Sequence, residues 1–239
     1  ATSPFSLVGV DWDGAAPEGT VVQVRVRENG AWGAWSSLEV AADHGPDAGT
    51  EEAAGLTPRN GTDPLLTSPG ADGIQVRIDT PGGVVPKDAR ITLVDPKAAD
   101  SDATASPLPV SSAQAAGDPL RPAIITRAQW GADESMRNRG PVYTGPIKAA
   151  FLHHTASSSK YTPAQATAQV RALYAWYTQG LKYSDLAYNF LVDRYGRLYE
   201  GRAGGMDRNV LGGHTAGFNQ NTFAVSAIGN FDTYKPTPT

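Results

Sequence analysis

The sequence predicts two domains of different class, an all-β sandwich-like domain followed by an α/β domain, and three features carry that expectation. Residues 1–97 hold short runs of alternating apolar and polar residues separated by Gly, Pro and Asp, the pattern of half-buried strands. Residues 98–120 are rich in Ala, Ser, Asp and Pro and have no apolar period. They offer too little apolar surface to repay their ordering entropy, so a flexible linker is expected there. Residues 121–239 then mix apolar strand-like runs with one well-capped helical pattern.

In chain order, Val21-Val22-Gln23-Val24-Arg25-Val26-Arg27 alternates over most of its length. Asn29-Gly30 follows, a pair that tolerates the positive φ of a two-residue hairpin turn. Trp32, Trp35 and Leu38 continue on the return strand. The two tryptophans are expected as core or strand-surface aromatics rather than a sugar-stacking platform. Ile74-Gln75-Val76-Arg77-Ile78 and Ala89-Arg90-Ile91-Thr92-Leu93-Val94 add two more strands. In the second half, Ala149-Ala150-Phe151-Leu152 is a short apolar strand running into His153-His154. Thr162, Pro163 and Gln165 form a helix start, with Thr162 as cap and Gln165 completing a capping box. Ala166, Val170, Leu173, Tyr174 and Tyr177 recur at helical spacing, and Gly180 ends the run. Strands at 188–192, 197–200 and 222–228 complete the domain.

Composition allows a packed core: 40% of residues are hydrophobic and 18% charged. No apolar run is long enough to span a bilayer. The chain has no cysteine, which excludes disulfides and any thiolate zinc ligand within these residues. A removed secretion leader would leave a start such as Ala1-Thr2-Ser3-Pro4, as would other processing of the chain; a secreted or cell-wall-associated location is the expectation. The net charge of −4 conceals two unlike halves. Residues 1–120 carry 7 Lys and Arg against 17 Asp and Glu, a net of −10; residues 121–239 carry 13 against 7, a net of +6. A basic half suits an anionic polymer. Nucleic acid is not the expected partner, because the aromatics fall at core-like spacings rather than interleaving with the basic residues.

Four histidines are the candidate chemistry. His44 lies in an acidic Gly/Pro-containing segment and is expected to be exposed. Strand alternation sends His153 and His154 to opposite faces, so they do not grip one metal together. One can be a ligand while its neighbour serves another role, or both can be hydrogen-bonded strand-end residues. His214 sits in a Gly-rich loop that permits close backbone approach to a ligand. Tyr188 begins a strand, where a tyrosine is ordinarily a half-buried strand aromatic, and a tyrosine hydroxyl near a zinc can donate to a developing oxyanion.

Six segments, in order over about residues 122–232, resemble the peptidoglycan recognition protein family, which includes the type 2 N-acetylmuramoyl-L-alanine amidases. They are Ile125-Thr126-Arg127-Ala128-Gln129-Trp130-Gly131-Ala132, Phe151-Leu152-His153-His154-Thr155-Ala156, and Asp185-Leu186-Ala187-Tyr188-Asn189-Phe190-Leu191-Val192. The hairpin Asp193-Arg194-Tyr195-Gly196-Arg197-Leu198-Tyr199-Glu200-Gly201-Arg202, the loop Gly213-His214-Thr215-Ala216-Gly217-Phe218-Asn219 and the strand end Ala227-Ile228-Gly229-Asn230-Phe231 complete the series. The resemblance implies a mixed central sheet flanked by helices, with a groove over a zinc ion. It implies that His153 is a zinc ligand and that Tyr188 stabilises the transition state. His154, Thr155, His214, Phe218 and Asn219 match positions lining the muropeptide groove, with Asn219 open to a purely structural role. The implied reaction is hydrolysis of the amide between N-acetylmuramic acid and L-alanine in bacterial peptidoglycan.

A catalytic zinc takes three protein ligands and one open position. In the family the other two come near the domain's C-terminus, after two further helices, and no such segment precedes Thr239. The amidase domain at 121–239 is therefore expected to be incomplete as it stands. Two functions remain open. One is a zinc amidase whose β domain aids attachment to the wall; the other is a module that binds peptidoglycan without cutting it. His153 and Tyr188 favour the first.

Overall fold

The computed structural model describes residues 2–41, 44–100, 102, 122–232 and 234–235. Residues 101 and 103–120 of the expected linker lie outside the described residues.

The N-terminal domain is built from β1 (Phe5–Trp12), β2 (Val21–Glu28), β3 (Ala31–Trp32), β4 (Ser36–Leu38), β5 (Asn60–Gly61), β6 (Leu65–Ala71), β7 (Gly73–Asp79) and β8 (Arg90–Val94). One sheet gathers β5, β6 and β8 around β1, and the other gathers β3, β4 and β7 around β2; every pairing is antiparallel. Asn29 and Gly30 take φ of 50° and 78° and close the β2–β3 hairpin, with Glu28 opposite Ala31. Phe5, Val8, Val10, Trp12, Val22, Val24 and Leu38 fill the space between the sheets, the alternating inward faces that a sandwich requires. Trp32 is exposed and Trp35 half-buried. Both stand on the outer surface of the β2 sheet, where the Arg77 guanidinium lies 3.9 Å from the Trp35 ring and Arg25 lies over both rings.

The C-terminal domain contains β9 (Ile124–Ile125), α1 (Arg127–Trp130), β10 (Ala149–His154), α2 (Ala166–Ala175), β11 (Phe190–Val192), β12 (Leu198–Glu200) and β13 (Thr222–Ala227). The sheet runs β10-β13-β11-β12-β9. It is mixed: β11 and β12 pair antiparallel as a hairpin, and the other neighbours are parallel. Thr126 caps α1 with Gln129 in a reciprocal capping box, and Gly131 ends it in the left-handed region. The Thr162 amide donates to Gln165 Oε1 at 2.7 Å ahead of α2. The helix then widens into a π turn over Trp176–Gly180. Among the described residues no helix is long and apolar enough to cross a membrane.

The two domains share packing. β1 is covered on both sides: Leu7 and, from β6, Leu66 belong to the cluster that holds Val170, Leu173, Trp176 and Leu191 of the second domain. Gly9, also on that face, is so close to Trp176 that a Cβ there would overlap the indole ring. Asp102, at the edge of the expected linker, pairs with Arg171 at 2.7 Å and accepts from Thr167 Oγ1. The contact at Gly9 yields a prediction. Gly9→Ala adds one methyl to a closed interface and costs about 1–3 kcal/mol, read as a lower urea midpoint. An unchanged midpoint would mean that β1 and the helix are apart in solution.

Candidate active site

The site forms where β10 ends beside β13 and the segment leading into β11. Alternation along β10 places His153 with Phe151 on one face and His154 on the other, as the sequence requires. The His153 ring centroid lies 5.4 Å from that of Tyr188 and 5.7 Å from that of His214, and its Nε2 is 3.1 Å from Thr215 Oγ1. His154 lies outside this ring cluster but lines the same cleft, and its Nδ1 accepts the Phe231 amide at 3.0 Å.

Tyr188 is fully buried. The Tyr177 hydroxyl donates to Tyr188 Oη at 3.3 Å. Tyr188 is thus an acceptor on that side, and its own O–H is a donor. Burial, with the Tyr188 hydroxyl next in effect, pushes the Tyr177 phenol well above its usual range, so Tyr177 stays protonated as that donor.

Several residues that the resemblance places along the groove lie beneath its surface. His214 has no exposed surface. Its Nδ1 is 3.0 Å from Thr215 Oγ1 and its Nε2 is 3.4 Å from Thr222 Oγ1. Burial, reinforced by His153, Arg202 and His44, lowers its pKa to about 3, so the imidazole is neutral. Thr155 is buried too, its hydroxyl 2.6 Å from Ser157 Oγ and accepting the Gly229 amide at 2.9 Å. Asn219 is a loop clasp: Oδ1 accepts the amides of His214 and Thr215, and Nδ2 donates to the Gly45 carbonyl and Asp47 Oδ1. Phe218 is different, 65% exposed and within 6.4 Å of the Phe151 ring. Of the expected contact residues, His154 lines the cleft and Phe218 is exposed beside Phe151, while Thr155, His214 and Asn219 are buried and hydrogen-bonded within the fold.

His44 departs from expectation. It is not an exposed loop residue: its side chain is only 12% exposed, and its ring centroid lies 5.3 Å from His153 and 6.3 Å from Tyr188. Asp63 Oδ1 stands 3.8 Å from His44 Nδ1. Nothing local in residues 39–63 marks this role. The contacts join positions more than a hundred residues apart, which no period or motif reports. Nearby, Glu52 is buried against Arg202 and Ser184, binding the same segment to the second domain.

The described residues do not by themselves complete a zinc site. Among the described residues no group of three or more His, Cys, Asp or Glu side chains is placed to hold a metal. His214 cannot serve as a second ligand where it stands, because both ring nitrogens face threonine hydroxyls in a closed pocket. Among the described residues, His153 is the one ligand position that the resemblance assigns.

Comparison with known proteins agrees with the two-domain reading. Residues 1–116 match the family model described as Rv3811 N-terminal galactose-binding domain-like, and residues 143–239 match the one described as N-acetylmuramoyl-L-alanine amidase. The chain is 33% identical over 119 residues to peptidoglycan-recognition protein SC1a/b of Drosophila simulans, covering 47% of this chain and 59% of that protein. It is 31% identical over 123 residues to the human N-acetylmuramoyl-L-alanine amidase, covering 48% and 20%. A solved structure of peptidoglycan recognition protein-LE in complex with tracheal cytotoxin is 32% identical, covering 48% of this chain and 64% of that one, with a TM-score of 0.43. The chain spans between about a third and three fifths of the length of the insect relatives it matches. The six ordered segments, the mixed sheet and the matched model thus agree that the C-terminal domain is similar to the N-acetylmuramoyl-L-alanine amidases and peptidoglycan-recognition proteins.

Proposed function

We propose that the protein acts on bacterial peptidoglycan outside the cell or at the wall, binding a muropeptide in this cleft and hydrolysing the amide between N-acetylmuramic acid and L-alanine. One observation carries the reading: His153 and Tyr188, the two residues matching the family's ligand and catalytic positions, stand with ring centroids 5.4 Å apart at the end of β10. In this reading the Tyr188 O–H donates to the oxyanion that forms as the amide carbon becomes tetrahedral. Tyr177 holds the phenol oriented from behind. Phe218 and His154 contact the sugar–peptide at the rim. Zinc is the proposed cofactor, with His153 one of the three protein ligands such a centre takes.

The second reading, a module that binds peptidoglycan without cutting it, is favoured by the donor set, which offers one zinc ligand among the described residues. Incubation of purified peptidoglycan with the zinc-supplemented protein separates the two. Release of stem peptides with a new L-alanine N-terminus, abolished by a chelator, is expected. Wall binding with no such release would leave the binding module as the function.

A further inference from the structure

We infer that the galactose-binding-like domain supplies one wall of the cleft, and that its His44 is a further ligand-contacting residue for the sugar–peptide assigned above. The inference rests on that assignment for the ligand and on geometry for the residue. The cleft is a cavity of about 580 Å³. Glu39, His44 and Asp63 line it from the first domain, and Leu152, His153 and His154 line it from the second. Its volume falls within the range of small-molecule pockets with the two domains already packed together, so the N-terminal segment walls the space without filling it.

The wall is fixed in place. The Gly45 amide donates to the Gly213 carbonyl at 3.1 Å. Asp47 Oδ1 accepts from the Gly217 amide at 2.6 Å and from Asn219 Nδ2 at 2.7 Å. These bonds attach the segment to the loop that carries His214 and Phe218. Farther along, Glu52 pairs with Arg202, and the Arg59 amide donates to the Leu181 carbonyl at 2.8 Å. Gly45 takes φ of 139°, and the Tyr183 hydroxyl lies 3.2 Å from where its Cβ would be. A side chain there would be strained and crowded, so glycine is what lets the segment come this close. The result sets the His44 ring edge-on against His153, with the Asp63 carboxylate on its Nδ1 side.

The lining has imidazoles and carboxylates and no Lys or Arg. It therefore accepts hydrogen bonds more than it donates them, which suits the amide N–H groups and sugar hydroxyls of a muropeptide.

The test uses the full chain and a synthetic N-acetylmuramyl peptide. Calorimetry is expected to show about tenfold weaker binding for His44→Ala and recovery of most of the affinity in His44→Gln, whose amide keeps a hydrogen-bonding group. The His44 ring resonance is expected to shift as the peptide is added and to saturate with binding. Wild-type affinity in His44→Ala, or a resonance unmoved at saturation, overturns the role of His44 and leaves the proposed function standing. Equal losses in both variants with a lowered melting temperature show a packing role and overturn it too. A wild-type chain that does not bind the peptide at all defeats the proposed function, and this inference with it.

Discussion

Glu52→Ala is expected to destabilise the folded chain by about 3–5 kcal/mol, the cost of leaving a buried charge without its partner. Glu52 and Arg202 come from different domains, and both side chains are at most 3% exposed. The Glu52 carboxylate accepts from the Arg202 guanidinium and the Ser184 hydroxyl, while Arg202 also donates to the Leu211 carbonyl. Removing the carboxylate strands the guanidinium where water cannot reach it. For a chain of this size, about 2–4 °C is lost per kcal/mol, so a fall of roughly 10 °C in melting temperature is the expected reading. Replacing both partners, Glu52→Leu with Arg202→Met, should recover much of the loss, because two matched apolar groups carry no desolvation penalty. A near-neutral Glu52→Ala would mean that Arg202 is hydrated in solution and that the domains are not packed together there.

Tyr188→Phe is expected to lower turnover on peptidoglycan by about 10²–10³ while leaving muropeptide affinity nearly unchanged, the magnitude typical of losing one oxyanion donor. The substitution keeps the buried ring among its neighbours His153 and Tyr177. It removes the acceptor of the Tyr177 hydroxyl, which adds about 1 kcal/mol of destabilisation without changing the cleft. The deciding comparison is turnover against affinity. Parallel losses in both would assign Tyr188 to packing. Tyr177→Phe provides a control, since it removes the orienting hydroxyl and keeps the donor, so its effect on turnover should be smaller.

Much of the fold was legible because its determinants are local. The β2–β3 hairpin follows from alternation and Asn29-Gly30, and the start of α2 from Thr162, Pro163 and Gln165. β1 was not legible, for a physical reason. Phe5, Val8, Val10 and Trp12 face the sandwich core, while Leu7 and Gly9 face the second domain. A strand covered on both sides loses the polar half of its alternation, and Phe5-Ser6-Leu7 carries an irregularity in its pairing that blurs the period further. The four-residue α1 is too short to show a helical repeat.

The candidate site divides in the same way. His153 and Tyr188 were legible through the ordered segments of the C-terminal half, and alternation alone separated His153 from His154. The sequence could mark Thr155, His214 and Asn219 but not their depth. Whether such a residue faces a ligand or pins a loop depends on what packs over it, and Asn219 is covered by Gly45 and Asp47. His44 and Asp63 were illegible as cleft residues, and Glu52 as the partner of Arg202, since an acidic segment rich in Gly and Pro reads as exposed loop wherever it occurs.

By itself, then, the sequence determined the two domain classes and the likeness of the second to the peptidoglycan-recognition proteins, and it singled out His153 and Tyr188, which the fold sets side by side, because strand period, helix caps and ordered motifs are encoded over short stretches of chain. Only the tertiary structure decided that the acidic first domain closes over the basic second one, that Glu52 meets Arg202 and that His44 stands against His153. Those pairings join residues more than a hundred positions apart, and they are fixed by shared burial and by buried hydrogen bonds that exist only once both domains have folded.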